Sequence, residues 1–164
     1  MSDIVDIHNI GSTIRAAIGS AFTSVTAGGA GNGTPVVGAT IDRLDPNTGS
    51  LSASAQLDIF WSATLTATKT LALTGLKVEQ SADGVNWAAT SYLIFPDPGV
   101  VDSGTGSGSG VYSVSADLSA AMRYVRFDWT PTLSNTATDT ATLLGAAILA
   151  GYGSASAGPF LSIQ

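Results

Sequence analysis

Few residues in this chain have the type and spacing to do chemistry. A single histidine, His8, lies ahead of the main body, so a Ser-His-Asp relay has a proton shuttle only if that residue folds back onto a serine. No G-x-S-x-G phrase accompanies it, and it reads as a surface or packing histidine. Zinc requires several His or Cys ligands, and the chain has one histidine and no cysteine. Asp97 with Asp102, and Asp42 with Asp45, are the acidic pairs that hard cations would use, but neither has the dense oxygen spacing of a calcium loop. Asp58 and Asp128 would form a glycosidase-like carboxylate pair only if two strands brought them together. Glycines 104, 106, 108 and 110 lack the Lys-Ser/Thr ending of a phosphate-binding loop. Trp61, Trp87 and Trp129 would make a sugar-stacking platform if exposed, yet each falls on the apolar phase of an alternating segment and is expected in the core. The sequence therefore reads as non-enzymatic, with no cofactor and no metal site.

Composition points toward surfaces. Charged residues make up 11% of the 164 residues and hydrophobic ones 45%, so Gly, Ala, Ser and Thr occupy positions usually held by charge. Two causes fit: surface covered by other protein, or Ser and Thr on exposed strand faces. Net charge is −6, and Arg15, Arg43, Lys69, Lys77, Arg123 and Arg126 are scattered. A phosphate backbone needs clustered cations to release its counterions, so nucleic acid is not expected as a direct partner. Anionic membrane surfaces are disfavoured in the same way. The apolar run from Leu143 to Ala150 is too short to span a bilayer, and Met1–Asp6 does not resemble a secretory signal.

The elements that would carry these residues are mostly strands. Ile4, Ile7, Ile10, Ile14, Ile18 and Phe22 recur at intervals of three or four, which predicts an amphipathic helix over Ile10–Ser24. It would either dock on a neighbour or fold back onto its own domain. Ala27–Gly33 reads as a flexible linker, giving an N-terminal arm and linker over 1–33. From Thr34 the period is two. Leu57, Ile59, Trp61, Ala63 and Leu65 form the inward phase of a long strand, with Lys69 placed in the following turn. Leu76 and Val78 fall out of phase with Leu71 and Leu73 across Gly75, the signature of a β-bulge. Asp83-Gly84 predicts a two-residue hairpin whose return strand passes Trp87 and Tyr92 and ends at Pro96 and Pro98. The stretch Asp97–Gly110 reads as a long Gly/Ser loop, either a plain surface loop or one that orders against a partner. Val125, Phe127 and Trp129 alternate into the core, with Arg126 and Asp128 facing solvent or a subunit, and Pro131 closing the strand. Thr138–Leu149 is expected as a central strand. The body, 34–150, is thus an all-β antiparallel sandwich of jelly-roll-like kind, followed by a C-terminal arm over 151–164.

The phrase Thr70–Gly84, followed by Arg123-Tyr124-Val125-Arg126-Phe127 and Thr130–Ser134, resembles small structural proteins of tailed bacteriophages. It is most similar to the capsid cement or head-decoration group typified by the Bordetella-phage cement protein, over roughly 55–150. The resemblance implies an oligomeric jelly-roll, a dimer or trimer, made in the host cytoplasm. It would sit on the outer surface of the virion, bound to the phage major capsid protein, and stabilise the expanded head. The expected contact residues are Ile4, Ile7, Phe160, Leu161 and Ile163 at the two termini and Asp97 and Asp102 in the Gly/Ser stretch. The alternative is a carbohydrate- or receptor-binding module of a phage tail or fibre, which would need exposed aromatics in a groove.

Overall fold

The computed structural model describes residues 14–46, 49–134 and 138–152. Eight strands follow in order: β1 (Ile14–Ile18), β2 (Thr23–Thr26), β3 (Ile41–Asp42), β4 (Ser52–Ser81), β5 (Leu93–Ile94), β6 (Gly99–Asp117), β7 (Tyr124–Leu133) and β8 (Thr140–Tyr152). All ladders are antiparallel, and no helix occurs among the described residues. The architecture is the expected all-β sandwich, nearly closed into a barrel.

Strand β4 organises it. Its first half, Ser52–Thr64, lies between β8 on one edge and the C-terminal half of β6 on the other. Its second half, Leu71–Ser81, lies between β7 and, on the far edge, the start of β6 and then β5. One strand therefore belongs to both sheets, and it turns the corner through an irregularity between Leu65 and Lys69, where Thr68 takes a φ of 63°. Lys69 is consequently inside the strand and not in a turn. A second irregularity, between Thr74 and Lys77, is the bulge anticipated at Gly75. Gly75 takes a φ of 62°, and its N–H donates to Asp97 Oδ1 at 2.6 Å. The bulge reverses the phase, so that Leu71, Leu73, Leu76 and Val78 are all fully buried.

Val125, Phe127 and Trp129 enter the core from β7 as expected, beside Leu57, Ile59, Leu143 and Leu149. Strand β8 is central, flanked by β4 and by β1 with β2.

Several expectations are corrected. Residues 14–26 form two strands on β8 where a helix was expected over Ile10–Ser24. An isoleucine every four residues satisfies a strand as well as a helix, because four is an even number of steps. The linker is a structured turn: Thr26 N–H donates to Ala30 O, and Gly33 N–H to Pro131 O. The Gly/Ser stretch is most of β6, held along β4. The Asp83-Gly84 turn is a five-residue loop between the bridged Ser81 and Trp87, so the return strand shrinks to that bridge and β5. Asp83 explains the loop: its Oδ1 accepts the N–H groups of Val85 and Asn86 and the Ser81 hydroxyl. Pro131 lies inside β7, which continues to Leu133.

The near-closure is made where β1 meets the segment before β4. Ala39 N–H donates to Gly19 O at 2.8 Å, and Gly19 N–H donates to Gly145 O. The Arg15 guanidinium donates to the carbonyls of Asp42 and Leu44, bridging β1 to β3 with a side chain. Val36 bridges Trp129 on the β7 side. Arg43, 1% exposed, gives its donors to the carbonyls of Ser52, Ala121 and Met122. No carboxylate is among these partners, and burial holds its pKa below the ordinary arginine value.

Candidate interaction surface

The sheet formed by β1, β8, β4 and β6 has an outer face whose composition follows directly from the register. Reading across the strands, one row is Ile14, Ala150, Ser54 and Asp117; the next is Ala16, Ile148, Gln56 and Ser115. Then come Ile18, Ala146, Asp58 and Ser113, followed by Leu144, Phe60 and Val111. Nine of these positions are apolar and none carries a basic side chain. Ile18 is 70% exposed, Val111 52% and Phe60 45%. Asp58 lies nearly buried among them, accepting Ser113 Oγ at 2.6 Å and Gln56 Nε2 at 2.8 Å.

Farther along the same face the character changes to hydroxyls. Ser24, Thr142, Ser62 and Ser109 form one row; Thr26, Thr140, Thr64 and Ser107 form the next. The face is thus divided into an apolar half that includes β1 and a Ser/Thr half that includes β2. Side chains in the apolar half have no covering element among the described residues, and apolar area left in water is unfavourable by about 25 cal/mol per Å².

The other sheet has a different surface. Lys77 pairs with Asp128 and Glu79 with Arg126 in the β4–β7 register. Lys77 Nζ is 2.5 Å from Glu79 Oε1, and Arg126 Nε is 3.5 Å from Asp128 Oδ1. Burial alone would raise the Glu79 pKa, but hydrogen bonds from Lys77 and Ser91 and the neighbouring cations hold it below the usual value. Asp128 shifts the other way: burial outweighs its hydrogen bond from Gly38 N–H and the pull of Arg126 and Lys77. Asp128 was expected to face solvent or a subunit; it is 5% exposed, covered by the Gly38 segment. Asp42, at the β3 edge, is held low by a bidentate pair with Arg123 at 2.7 and 3.0 Å.

These arrangements bear on each candidate residue. Asp58, in the first half of β4, registers with Ser113 and Ala146, whereas Asp128, on β7, registers with Lys77 in the second half of β4, so the two carboxylates lie beside opposite halves of that strand. Asp97 caps the Gly75 bulge. Asp102 is in β6 opposite Leu71, beside an open depression of about 140 Å³ lined by Leu65 and residues 102–108. The structure thus gives Asp97 a backbone-capping role and does not bring it into a shared cluster with Asp102. No group of three or more His, Cys, Asp or Glu capable of holding a metal occurs among the described residues. Trp129 is buried, Trp61 packs against the core, and the Trp87 ring is capped by the Arg126 guanidinium at 4.1 Å. Trp87 was expected in the core with the other two, but it is half-buried and stands outside the core cluster. His8, Ile4, Ile7, Phe160, Leu161 and Ile163 lie outside the described residues.

Sequence reasoning put Phe60 on the outward phase of its strand but did not bring Ile14, Ile18, Val111 and Ile148 onto one face with it. The signal was present in β8, where both phases are apolar: Leu143, Ala147 and Leu149 point inward, while Leu144, Ala146, Ile148 and Ala150 share the outer face.

No family model matches the chain, and no curated protein matches it. Among solved structures it is similar to a chain in the structure of infectious bursal disease virus Gx strain, with TM-score 0.46 and 10% identity over 84% of this chain and 32% of that one. A chain of the infectious bursal disease virus particle gives TM-score 0.45 and 10% identity, covering 84% and 31%. The enzymatically active domain of bacteriophage CBA120 tailspike protein 4 gives TM-score 0.32 and 17% identity, covering 81% and 19%. All three come from viruses, and the present chain spans about a third or less of each. With TM-scores below 0.5, these likenesses do not establish a shared activity.

Proposed function

We propose that this chain is a structural virion protein that binds the outer surface of a phage major capsid lattice and stabilises the expanded head, as a cement or decoration protein. The observation that carries the reading is the uncovered apolar half of the β1–β8–β4–β6 face, which has no basic residue and, among the described residues, no metal-binding cluster beside it. Such a face gains by excluding water against another protein surface, and it offers nothing to a phosphate backbone. The sequence resemblance of Thr70–Gly84 and Arg123–Phe127 to head-decoration proteins supports the same reading. Ile4, Ile7, Phe160, Leu161 and Ile163 would add terminal contacts, and Asp97 and Asp102 would mark the rim of the β6 side. Assembly as a dimer or trimer would let many weak contacts add through avidity across a shell. The role requires no catalysis.

The test is binding to expanded capsids that lack the protein. Saturable binding that raises capsid melting temperature, and its loss in Phe60→Glu while the variant's own melting stays within a few degrees, supports the proposal. Unchanged capsid binding by Phe60→Glu and Ile18→Glu removes the face from the interface. No binding by the unmodified protein ends the cement reading.

A further inference from the structure

We infer that the free edge of β6 pairs antiparallel with the same edge of a second copy of this chain, with Val111 on the two-fold axis. This goes beyond the capsid reading, uses the edge of the sheet and not its outer face, and leaves that face open.

Hydrogen bonding along β6 leaves one side of the strand unused. Leu118 N–H donates to Ala53 O at 2.7 Å, and from there the β4–β6 ladder runs without interruption to Leu65 and Gly106. In an antiparallel ladder alternate residues direct both backbone groups at the neighbouring strand. The even-numbered residues from Gly106 to Ala116 therefore face β4. The odd-numbered ones from Ser107 to Asp117, all exposed, point their N–H and C=O groups away from it. Tyr92 Oη donates to the Asp117 carbonyl. Among the described residues no strand or loop backbone takes the others.

The remaining edges carry protection that this one lacks. Strand β1 has five residues, β2 four, and β3 and β5 two each. Arg15 ties β1 to the β3 side, and Pro96 and Pro98 follow β5. Over Gly106–Asp117, β6 has no Lys, Arg or Pro and no bulge. A long regular edge without such devices is a template for another strand.

The residue order selects a second copy as that strand. Outward-pointing groups must meet outward-pointing groups, so odd residues pair with odd ones. About Val111 the exposed phase is a palindrome: Ser107, Ser109, Val111, Ser113, Ser115. Two-fold pairing sets Val111 against Val111 and hydroxyl against hydroxyl, and matched cross-strand neighbours stabilise a sheet. The other phase is complementary. Gly106, Gly108 and Gly110 of one copy come opposite Ala116, Val114 and Tyr112 of the other, so each bare backbone position faces a side chain. Tyr112 and Val114 are only partly buried against the core, and the neighbouring strand completes their cover. No charged residue lies between Gly106 and Ala116, so no like charges are opposed. A two-fold axis perpendicular to the sheet keeps both outer faces on one side, and the row Leu144, Phe60, Val111 continues across the seam. An interface of an edge with itself closes at two copies.

The chain has no cysteine, so one added thiol reports on one position. Val111→Cys should oxidise to a disulfide-linked dimer, because opposed residues of a hydrogen-bonded pair lie about 5.5 Å apart at Cα, within disulfide reach. Ile18→Cys on the outer face and Ile94→Cys on the other sheet, at sites 70% and 71% exposed, should not cross-link. Sedimentation of the unmodified chain should show a mass that rises with concentration toward twice 16.4 kDa. Ser109→Pro removes an outward N–H and no bond to β4, and Val111→Lys sets like charges across the axis. Each should return the mass to that of the monomer at the same concentration, with melting within a few degrees of the unmodified protein. A monomer at every concentration, a dimer that survives both variants, or a disulfide at position 18 in place of 111 overturns the inference. A closed trimer overturns it as well. Capsid binding is read in a separate assay, so its failure leaves this result as it stands.

Discussion

The indole of Trp61 lies against Gly110, its direct partner in the β4–β6 ladder, so closely that a Cβ at position 110 would stand 2.5 Å from ring atom Cζ2. The glycine is the space that the ring occupies. At this position the Cβ that is missing from β6 is replaced by an aromatic side chain from across the ladder.

Gly110→Ala should therefore overpack this site and cost about 1–3 kcal/mol, the usual range for added methyl groups in a filled space. Chemical unfolding in urea would read the loss. Trp61→Val should restore part of it in the double variant, and a purely additive pair would show that the ring and the glycine are uncoupled.

Arg43 should be among the least replaceable side chains. Arg43→Met leaves the carbonyls of Ser52, Ala121 and Met122 without their donors, at an expected cost of about 3–5 kcal/mol. Arg43→Lys should recover little of this, because one ammonium cannot span acceptors that the planar fork reaches together. Melting temperatures of the two variants, compared with the unmodified protein, check the order.

Asp128 should oppose stability at neutral pH. Its folded pKa is raised by burial, so its contribution is greatest below the ordinary carboxylate range and declines as pH rises through the folded value. Asp128→Asn keeps an oxygen for Gly38 N–H and should be more stable than the unmodified protein at pH 7, with the difference vanishing near pH 3. Unfolding free energy measured across that range would show the opposite sign if Arg126 and Lys77 dominated.

Asp83 carries the reverse dependence. The Asn86 side chain, the N–H groups of Asn86 and Val85, and the Ser81 hydroxyl hold its pKa far below the usual aspartate value. Its contribution is therefore fully present above about pH 4, the unfolded value, and fades as pH falls toward the depressed one. Amide exchange at Val85 and Asn86 should accelerate in Asp83→Ala at pH 6, with no comparable change at residues of β8.

The parts of the fold legible in the sequence were those where one phase is apolar and the other is not. Leu57–Leu65 and Val125–Trp129 showed this, and the Gly75 bulge showed as a phase reversal. Residues 14–26 did not, because isoleucines four apart fit either period and only pairing with β8 decides between them. Strand β6 was hidden because glycine has no side chain to show a phase, and its strand character is imposed by β4. The interaction face was hidden for a related reason. Burial of β8 could be read from its composition, but an exposed row beside a buried row of the same kind requires the register.

The pairing pattern also sets a timetable for synthesis. Strand β4 waits for β5 through β8, and β1 and β2 pair with β8, the last of the described strands to be made. Translation at about 5–20 residues per second puts roughly 6–25 s between the emergence of β1 and that of its partner. Through that interval the earliest strands leave the ribosome with nothing to pair with. The edge that is made first is the one that closes last.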